Sequence, residues 1–270
     1  MTNDIRTATS AGLHVYESGG AGQPLLLFLH GSPLSGRMWL PQLERLTEFH
    51  SLAPDLPEHG RSSQVRPFSM GDAVRRLADV VRQAAPDGSA HVIGLSFGGV
   101  VAQALMVQEP DLVDHAILTG TSARMSGFLH GLLRLSLALN RPLLQLLPPA
   151  SLAALVRWQT GIPRSVSPLI EEDLKKVDPN SLTRFILTTY GSIVTPTAPR
   201  SPVLVLVGEK ETPVAKSMAR RLWRTIPGAQ GALVRGLGHV WNLQAPDLFA
   251  EVVRAWVRDA PLPGALAPFI

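Results

Sequence analysis

The sequence predicts an α/β fold: a mostly parallel, doubly wound sheet of about eight strands, carrying an all-helical cap insertion. Two observations lead there. Short runs rich in Leu, Val and Ile recur along the 270 residues, most of them followed by a longer helical pattern, and one internal block breaks that rhythm with helical patterns alone. With 45% apolar and 17% charged residues the chain has the side chains to fill a core and too little charge to resist collapse.

Taken in order, a strand near Arg6 to Ser10 turns at Ala11-Gly12 into Leu13 to Glu17. Further strands are expected at Pro24 to Leu29, Ser51 to Pro54, Ala90 to Leu95, His115 to Thr119, Val203 to Gly208 and Gly231 to Val234. Apolar residues three and four apart predict helices over Trp39 to Thr47, Met70 to Ala85, Gly98 to Gln108, Val214 to Ile226 and Ala245 to Asp259. Between Ser122 and Pro199 the pattern is helical throughout: Phe128 to Leu139, Pro142 to Leu147, Leu152 to Gln159, Leu169 to Val177 and Leu182 to Ile193, separated by Pro, Gly and Asn. Residues 1–121 and 200–270 are therefore expected to form the core, and 122–199 a helical cap beyond one end of the sheet.

The 25 Lys and Arg outnumber the 21 Asp and Glu, which gives a pI near 9.9. Eight of the basic and four of the acidic residues lie between Thr121 and Pro199; the other 17 of each sign cancel. The excess belongs to one block and forms no stripe or tail, so nucleic acid is not an expected partner. The segment Met1 to Arg6 has no basic stretch leading into an apolar run, and Leu129 to Leu147 is interrupted by Arg134, Asn140, Arg141 and Pro142. Neither a secretory leader nor a membrane span is expected, and the cytoplasm is the expected location. The chain has no Cys, which removes disulfides, thiolate metal sites and a cysteine nucleophile.

Chemistry enters after the strand Ala90 to Leu95, which runs into Gly94-Leu95-Ser96-Phe97-Gly98-Gly99 and then at once into a helix. Gly-x-Ser-x-Gly in that setting is a nucleophile elbow, where a sharp turn lifts the Ser hydroxyl out of the sheet and a neighbouring β-carbon would clash. Upstream, the strand Pro24 to Leu29 ends in His30-Gly31-Ser32-Pro33. Gly31 lets the following N–H groups turn outward toward a developing negative oxygen. Pro33 has no N–H, so the expected oxyanion donors are the backbone of Ser32 and of Phe97.

A serine hydroxyl needs a base, usually a His oriented by a carboxylate. Of the eight His, most sit in or beside strands or in turns, where a structural role is the ordinary one. His239 stands directly after the last strand, in Gly236-Leu237-Gly238-His239, on the sheet edge where ligands gather in open α/β folds. Glu211, four residues past Val207 in the loop after the Val203 strand, is the expected acid, with Glu209 as the fallback. The loop after the His115 strand, Thr119-Gly120-Thr121, offers no carboxylate. Trp39 and Trp241 are candidate substrate-binding residues that either line the pocket or pack beneath it.

The order Ser96, Glu211, His239, with His30-Gly31 before and Asp55-Leu56-Pro57-Glu58-His59-Gly60-Arg61-Ser62 between, resembles the α/β-hydrolase fold superfamily over residues 12 to 260. Within it, His30-Gly31-Ser32-Pro33 together with Gly94-x-Ser96-x-Gly98 is similar to small serine esterases and the cofactor-free haloperoxidase group. The resemblance implies ester hydrolysis through an acyl-enzyme, with Ser32 and Phe97 at the oxyanion hole, a cap at Ser122 to Pro199, and no metal or organic cofactor. Dehalogenases and most epoxide hydrolases of the superfamily carry Asp where this chain has Ser96. Two residues depart from the family pattern: the commonest acid there is Asp, not Glu211, and the usual Gly of the Asp-x-x-Gly-His-Gly loop is Glu58, which bears on that loop's turn type. Alternatives on the same residues are a thioesterase or lactonase acting on acyl or polyketide-type substrates, and a non-catalytic binding or cyclisation scaffold. The expected partner is a small-molecule ester with an apolar acyl group. Five Arg and no acid among the Leu residues of Arg124 to Arg164 add an acyl carrier protein as a further candidate.

Overall fold

In a computed structural model of the chain, the apolar runs form strands because both of their faces are covered. Along Leu25–Leu29 (β3), Leu25, Leu27 and Leu29 enter one core layer while Leu26 and Phe28 enter the other. The two-residue alternation survives, but every position is apolar. The structure describes residues 5–85, 88–124 and 191–269, and between them 127, 131, 135–136, 148, 151, 154, 157, 161–163, 171–173, 175 and 187–189. The helices expected between 128 and 193 fall mostly outside the described residues; where regular structure is described there it is helical.

The other strands are Arg6–Ser10 (β1), Leu13–Ser18 (β2), His50–Pro54 (β4), Ala90–Leu95 (β5), Val113–Thr119 (β6), Val203–Gly208 (β7), Gln230–Val234 (β8) and Leu266–Pro268 (β9). They form one sheet in the order β1-β2-β4-β3-β5-β6-β7-β8-β9. Pairing is parallel from β4 through β8, and antiparallel at β1–β2, β2–β4 and β8–β9. Three residues of β9 close the far edge, too short a run to stand out in the sequence. The β1–β2 turn puts Ala11 at φ 50° and Gly12 at φ 75°, as a tight hairpin connection requires.

The helices are Leu40–Leu43 (α1), Met70–Ala84 (α2), Phe97–Gln108 (α3), Pro213–Thr225 (α4), Trp241–Gln244 (α5) and Pro246–Val257 (α6). Residues of α2, α3 and α4 pack into one core layer, those of α1, α5 and α6 into the other. α1 is shorter than the predicted Trp39 to Thr47 because Leu46 and Phe49 reach the core from a non-helical turn, so apolar spacing there reports burial rather than helix. Among the described residues no helix is long and apolar enough to cross a membrane.

Strand order reverses between β3 and β5, where the chain winds to β4 on one side and to β6 on the other. A crevice opens outside the carboxyl ends of strands at such a switch point. The loops that leave β3 and β5 begin at His30 and Ser96.

Candidate active site

Ser96 is the hinge between β5 and α3, with φ 55° and ψ −114°, a conformation almost confined to glycine. Its amide donates to Thr119 O of β6 at 2.9 Å, which fixes the turn. The flanking glycines are there for space: a β-carbon on Gly94 would lie 2.5 Å from Gly98 O, and one on Gly98 would lie 2.0 Å from Leu29 O. Both obstacles are backbone and neither can give way.

The loop after β3 lies against this elbow, since a β-carbon on Gly31 would approach Leu95 Cδ2 at 3.0 Å and Ser96 Cβ at 3.4 Å. Gly31 O accepts from Leu34 N at 2.9 Å and faces His30 Nδ1 at 3.2 Å. In a planar trans peptide the Ser32 N–H points the opposite way, out of the turn. His30 Nε2 accepts from the Leu56 amide at 2.9 Å, so its proton is on Nδ1 and the ring is neutral. Burial, aided by the nearby His59, holds its pKa well below the usual histidine value.

His59 repeats this logic one shell out. Its Nδ1 donates to Pro57 O at 2.9 Å, leaving Nε2 to accept from the Ser32 hydroxyl at 3.1 Å. Burial lowers its pKa to about 4. The ring stacks on Phe97 at 5.5 Å, and Phe68 meets Phe97 from the side at 5.4 Å, so the residue after Ser96 is clamped. Phe97 opens α3, where a helix amide has no acceptor in its own helix. Asp55, fully buried, ties the two loops by accepting from Gly36 N and Arg61 N, each at 2.7 Å.

His239, in the loop after β8, has Nδ1 2.8 Å from Glu211 Oε2, in the loop after β7. A carboxylate only accepts, so the imidazole proton is on Nδ1 and Nε2 is left with its lone pair. Glu211, with a side chain only 5% exposed, folds back so that Oε1 accepts from Gly208 N at 3.2 Å; this absorbs the extra methylene relative to Asp. Glu209, the fallback acid, is exposed and accepts from Gly236 N at 2.7 Å, away from the imidazole. Between Ser96 and His239 stands the end of β6: Thr119 O holds the Ser96 amide, and a β-carbon on Gly120 would lie 2.8 Å from His239 Cε1 and 3.4 Å from Glu211 Oε1. The structure thus brings the ends of β3, β5, β6, β7 and β8 to one edge. A sequence profile of the Alpha/beta hydrolase family matches residues 26–252, which spans all of these loops.

The chain belongs to the alpha/beta hydrolase family. The chain is 29% identical over 261 residues to an AB hydrolase superfamily protein of Gibberella zeae, a match covering 92% of this chain and 85% of that one. It is 24% identical over 255 residues to carboxylesterase YbfK of Bacillus subtilis, covering 90% and 83% of the two chains. A thermophilic esterase from Thermogutta terrifontis superimposes with a TM-score of 0.74 at 26% identity, covering 94% of this chain and 97% of that chain. Its relatives are hydrolases and esterases.

Trp39 and Trp241, the candidate substrate-binding residues, pack beneath the loops rather than standing open to solvent. Both are fully buried beneath the loops, packed on Phe249 at 5.4 and 4.4 Å, and Trp241 Nε1 donates to Thr119 Oγ1 at 2.8 Å. An enclosed indole has no surface to offer a substrate; these two support the floor. Gly120 does not stand out in the sequence, because its part depends on what stands opposite it, and neither do three links between the insertion and the core. Ser35 donates to the buried Asp173 at 2.7 Å, Arg37 pairs with Glu172, and Gln244 joins Gly238 N to Gly161 O at 2.8 Å each. Among the insertion's arginines, Arg157 is paired with Glu171 at 2.6 Å, while Arg134, Arg141 and Arg164 lie outside the described residues.

Proposed function

We propose that this chain is a serine hydrolase of small carboxylic esters, using Ser96, His239 and Glu211. The observation that carries it is the His239 Nδ1 to Glu211 Oε2 hydrogen bond of 2.8 Å, which leaves the imidazole Nε2 basic on the edge where the elbow raises Ser96. His239 Nε2 takes the Ser96 proton as Oγ attacks the ester carbonyl. The resulting oxyanion accepts from the Ser32 and Phe97 amides, each worth about 100- to 1,000-fold in turnover. His239 then protonates the leaving alcohol and the acyl group stays on Ser96; water, deprotonated by His239, releases the acid. Glu211 holds the imidazole tautomer and stabilises its cationic form.

In the same proposal residues 122–199 form a cap over this edge, supported by the Ser35–Asp173, Arg37–Glu172 and Gln244–Gly161 links. The carboxylesterase and esterase among its relatives support an ester substrate. The test is a series of 4-nitrophenyl esters from acetate to laurate, set beside matched thioesters and with Glu211→Gln as a second enzyme. Oxyester turnover is expected to exceed thioester turnover, and Glu211→Gln is expected to lower kcat by orders of magnitude with a changed pH profile. Thioester preference would move the substrate class; an unaltered Glu211→Gln profile would move the acid.

A further inference from the structure

A second cluster lies at the other end of the sheet. His91 is the second residue of β5, and Asp114 and His115 are the second and third of β6. The parallel register between the two strands shifts between Ala90 and Val92, at the place where these three meet. The two imidazole rings are 5.0 Å apart. His91 Nδ1 stands 3.5 Å from Asp114 Oδ2, and His115 Nδ1 stands 3.7 Å from Asp114 Oδ1; the three residues' donor atoms all lie within 4.8 Å of one another.

The protonation pattern makes this more than a crowd. His115 Nε2 faces Asp259 Oδ1, just beyond α6, at 3.4 Å, and a carboxylate can only accept, so Nε2 carries the proton. His115 Nδ1 is then a buried lone pair, makes no hydrogen bond, and is directed at another carboxylate oxygen. A lone pair opposed to a carboxylate is repulsive unless a cation sits between them. Two imidazoles and a carboxylate are the donor set of borderline divalent ions. Ligands about 2.1 Å from one tetrahedral ion are about 3.4 Å apart, close to the 3.5 and 3.7 Å that separate the two imidazoles from the carboxylate. Asp259 on the far nitrogen completes a carboxylate–histidine–metal relay of the kind that fixes a ligand's tautomer and raises its basicity.

We propose that His91, Asp114 and His115 bind one divalent ion of the zinc type, with Asp259 as the outer partner of His115. Asp114 is about half exposed and gives the ion its way in from solvent, while the two histidines are buried. The ion would clip the amino ends of β5 and β6 to the segment that follows α6. That is a structural role, separate from Ser96 at the carboxyl end of β5, and it does not rest on the proposed hydrolysis.

The experiment is calorimetric titration of untagged, EDTA-stripped protein with Zn²⁺ at pH 7.5, alongside melting curves with and without the ion. One ion per chain with a micromolar Kd is expected, and an upward Tm shift of several degrees at saturating ion. Asp114→Asn, a change at an exposed position, should weaken binding at least tenfold with ester turnover unchanged, and Asp259→Asn should weaken it about tenfold. No saturable binding below about 100 μM would overturn the proposal. So would binding that persists undiminished in both Asp114→Asn and His115→Gln, or binding abolished by His239→Ala instead, which would put the ion at the other edge. A shared proton in place of the ion would appear as a histidine titration that moves in Asp114→Asn while no Zn²⁺ binds, and that too would overturn it.

Discussion

Ser96 shows what one residue gives up for its position. Its backbone sits at φ 55° and ψ −114°, where a β-carbon costs about 1–3 kcal/mol. Ser96→Gly removes that β-carbon and adds back some unfolded-state entropy, about 0.5–1 kcal/mol. The net expectation is a more stable, inactive protein, with Tm raised by about 2–4 °C in a thermal melt; a lowered Tm would mean that the turn is not strained. Glu58 holds a left-handed conformation as well, φ 67°, and its carboxylate repays part of the cost by accepting from Phe68 N at 3.0 Å. His59 links the same region to pH. Burial lowers its pKa to about 4, against 6.5 in the unfolded chain, so the unfolded state binds more protons between those values. The contribution is fully present above pH 6.5, is lost as the pH falls, and is gone near pH 4, about 3 kcal/mol in all. In urea unfolding, the stability lost between pH 7 and pH 5 should be about 2 kcal/mol smaller in His59→Gln than in wild type. Equal losses would contradict the buried, neutral ring.

At the scale of elements, strand ends rather than strand interiors do the positioning. Gly120 closes β6 with φ 56° and leaves just enough room for the imidazole of His239. Gly120→Ala is expected to push that ring aside and lower kcat by about 10- to 100-fold with KM little changed, measured on a 4-nitrophenyl ester; an unchanged kcat would mean that the ring does not need this seat. Strands and long helices were legible because both core layers write themselves into the sequence: β3 reads Leu-Leu-Leu-Phe-Leu, and α2 places Val74, Leu77, Ala78 and Val81 along one face. The elbow was legible because its glycines flank the serine within one short segment, Gly94 being forced by the backbone of Gly98 and Gly98 by that of Leu29. What was not legible depends on partners distant in the chain. Trp39 and Trp241 stand beside site motifs in sequence, yet both point into Phe249 and the core. His91 and His115 looked like isolated strand histidines because α3 separates them in sequence, while the sheet makes them neighbours.

Over the whole molecule, the reversal of strand order between β3 and β5 decides where the proposed chemistry would take place. The loops after β3 and β5 part there, and the parallel run out to β8 delivers Glu211 and His239 to the same edge. Family membership rests on the match over residues 26–252, and the ester chemistry proposed for the chain follows from five side chains and amides rather than from the fold. The most direct measurement is the acyl-enzyme itself: intact-protein mass after rapid mixing with a 4-nitrophenyl ester, with turnover followed in parallel, for wild type and Ser96→Ala. Wild type should gain the mass of one acyl group and release 4-nitrophenol in a burst, and Ser96→Ala, folded as judged by its melting curve, should do neither. A Ser96→Ala protein that still acylates or turns over the ester at the wild-type rate would contradict the account.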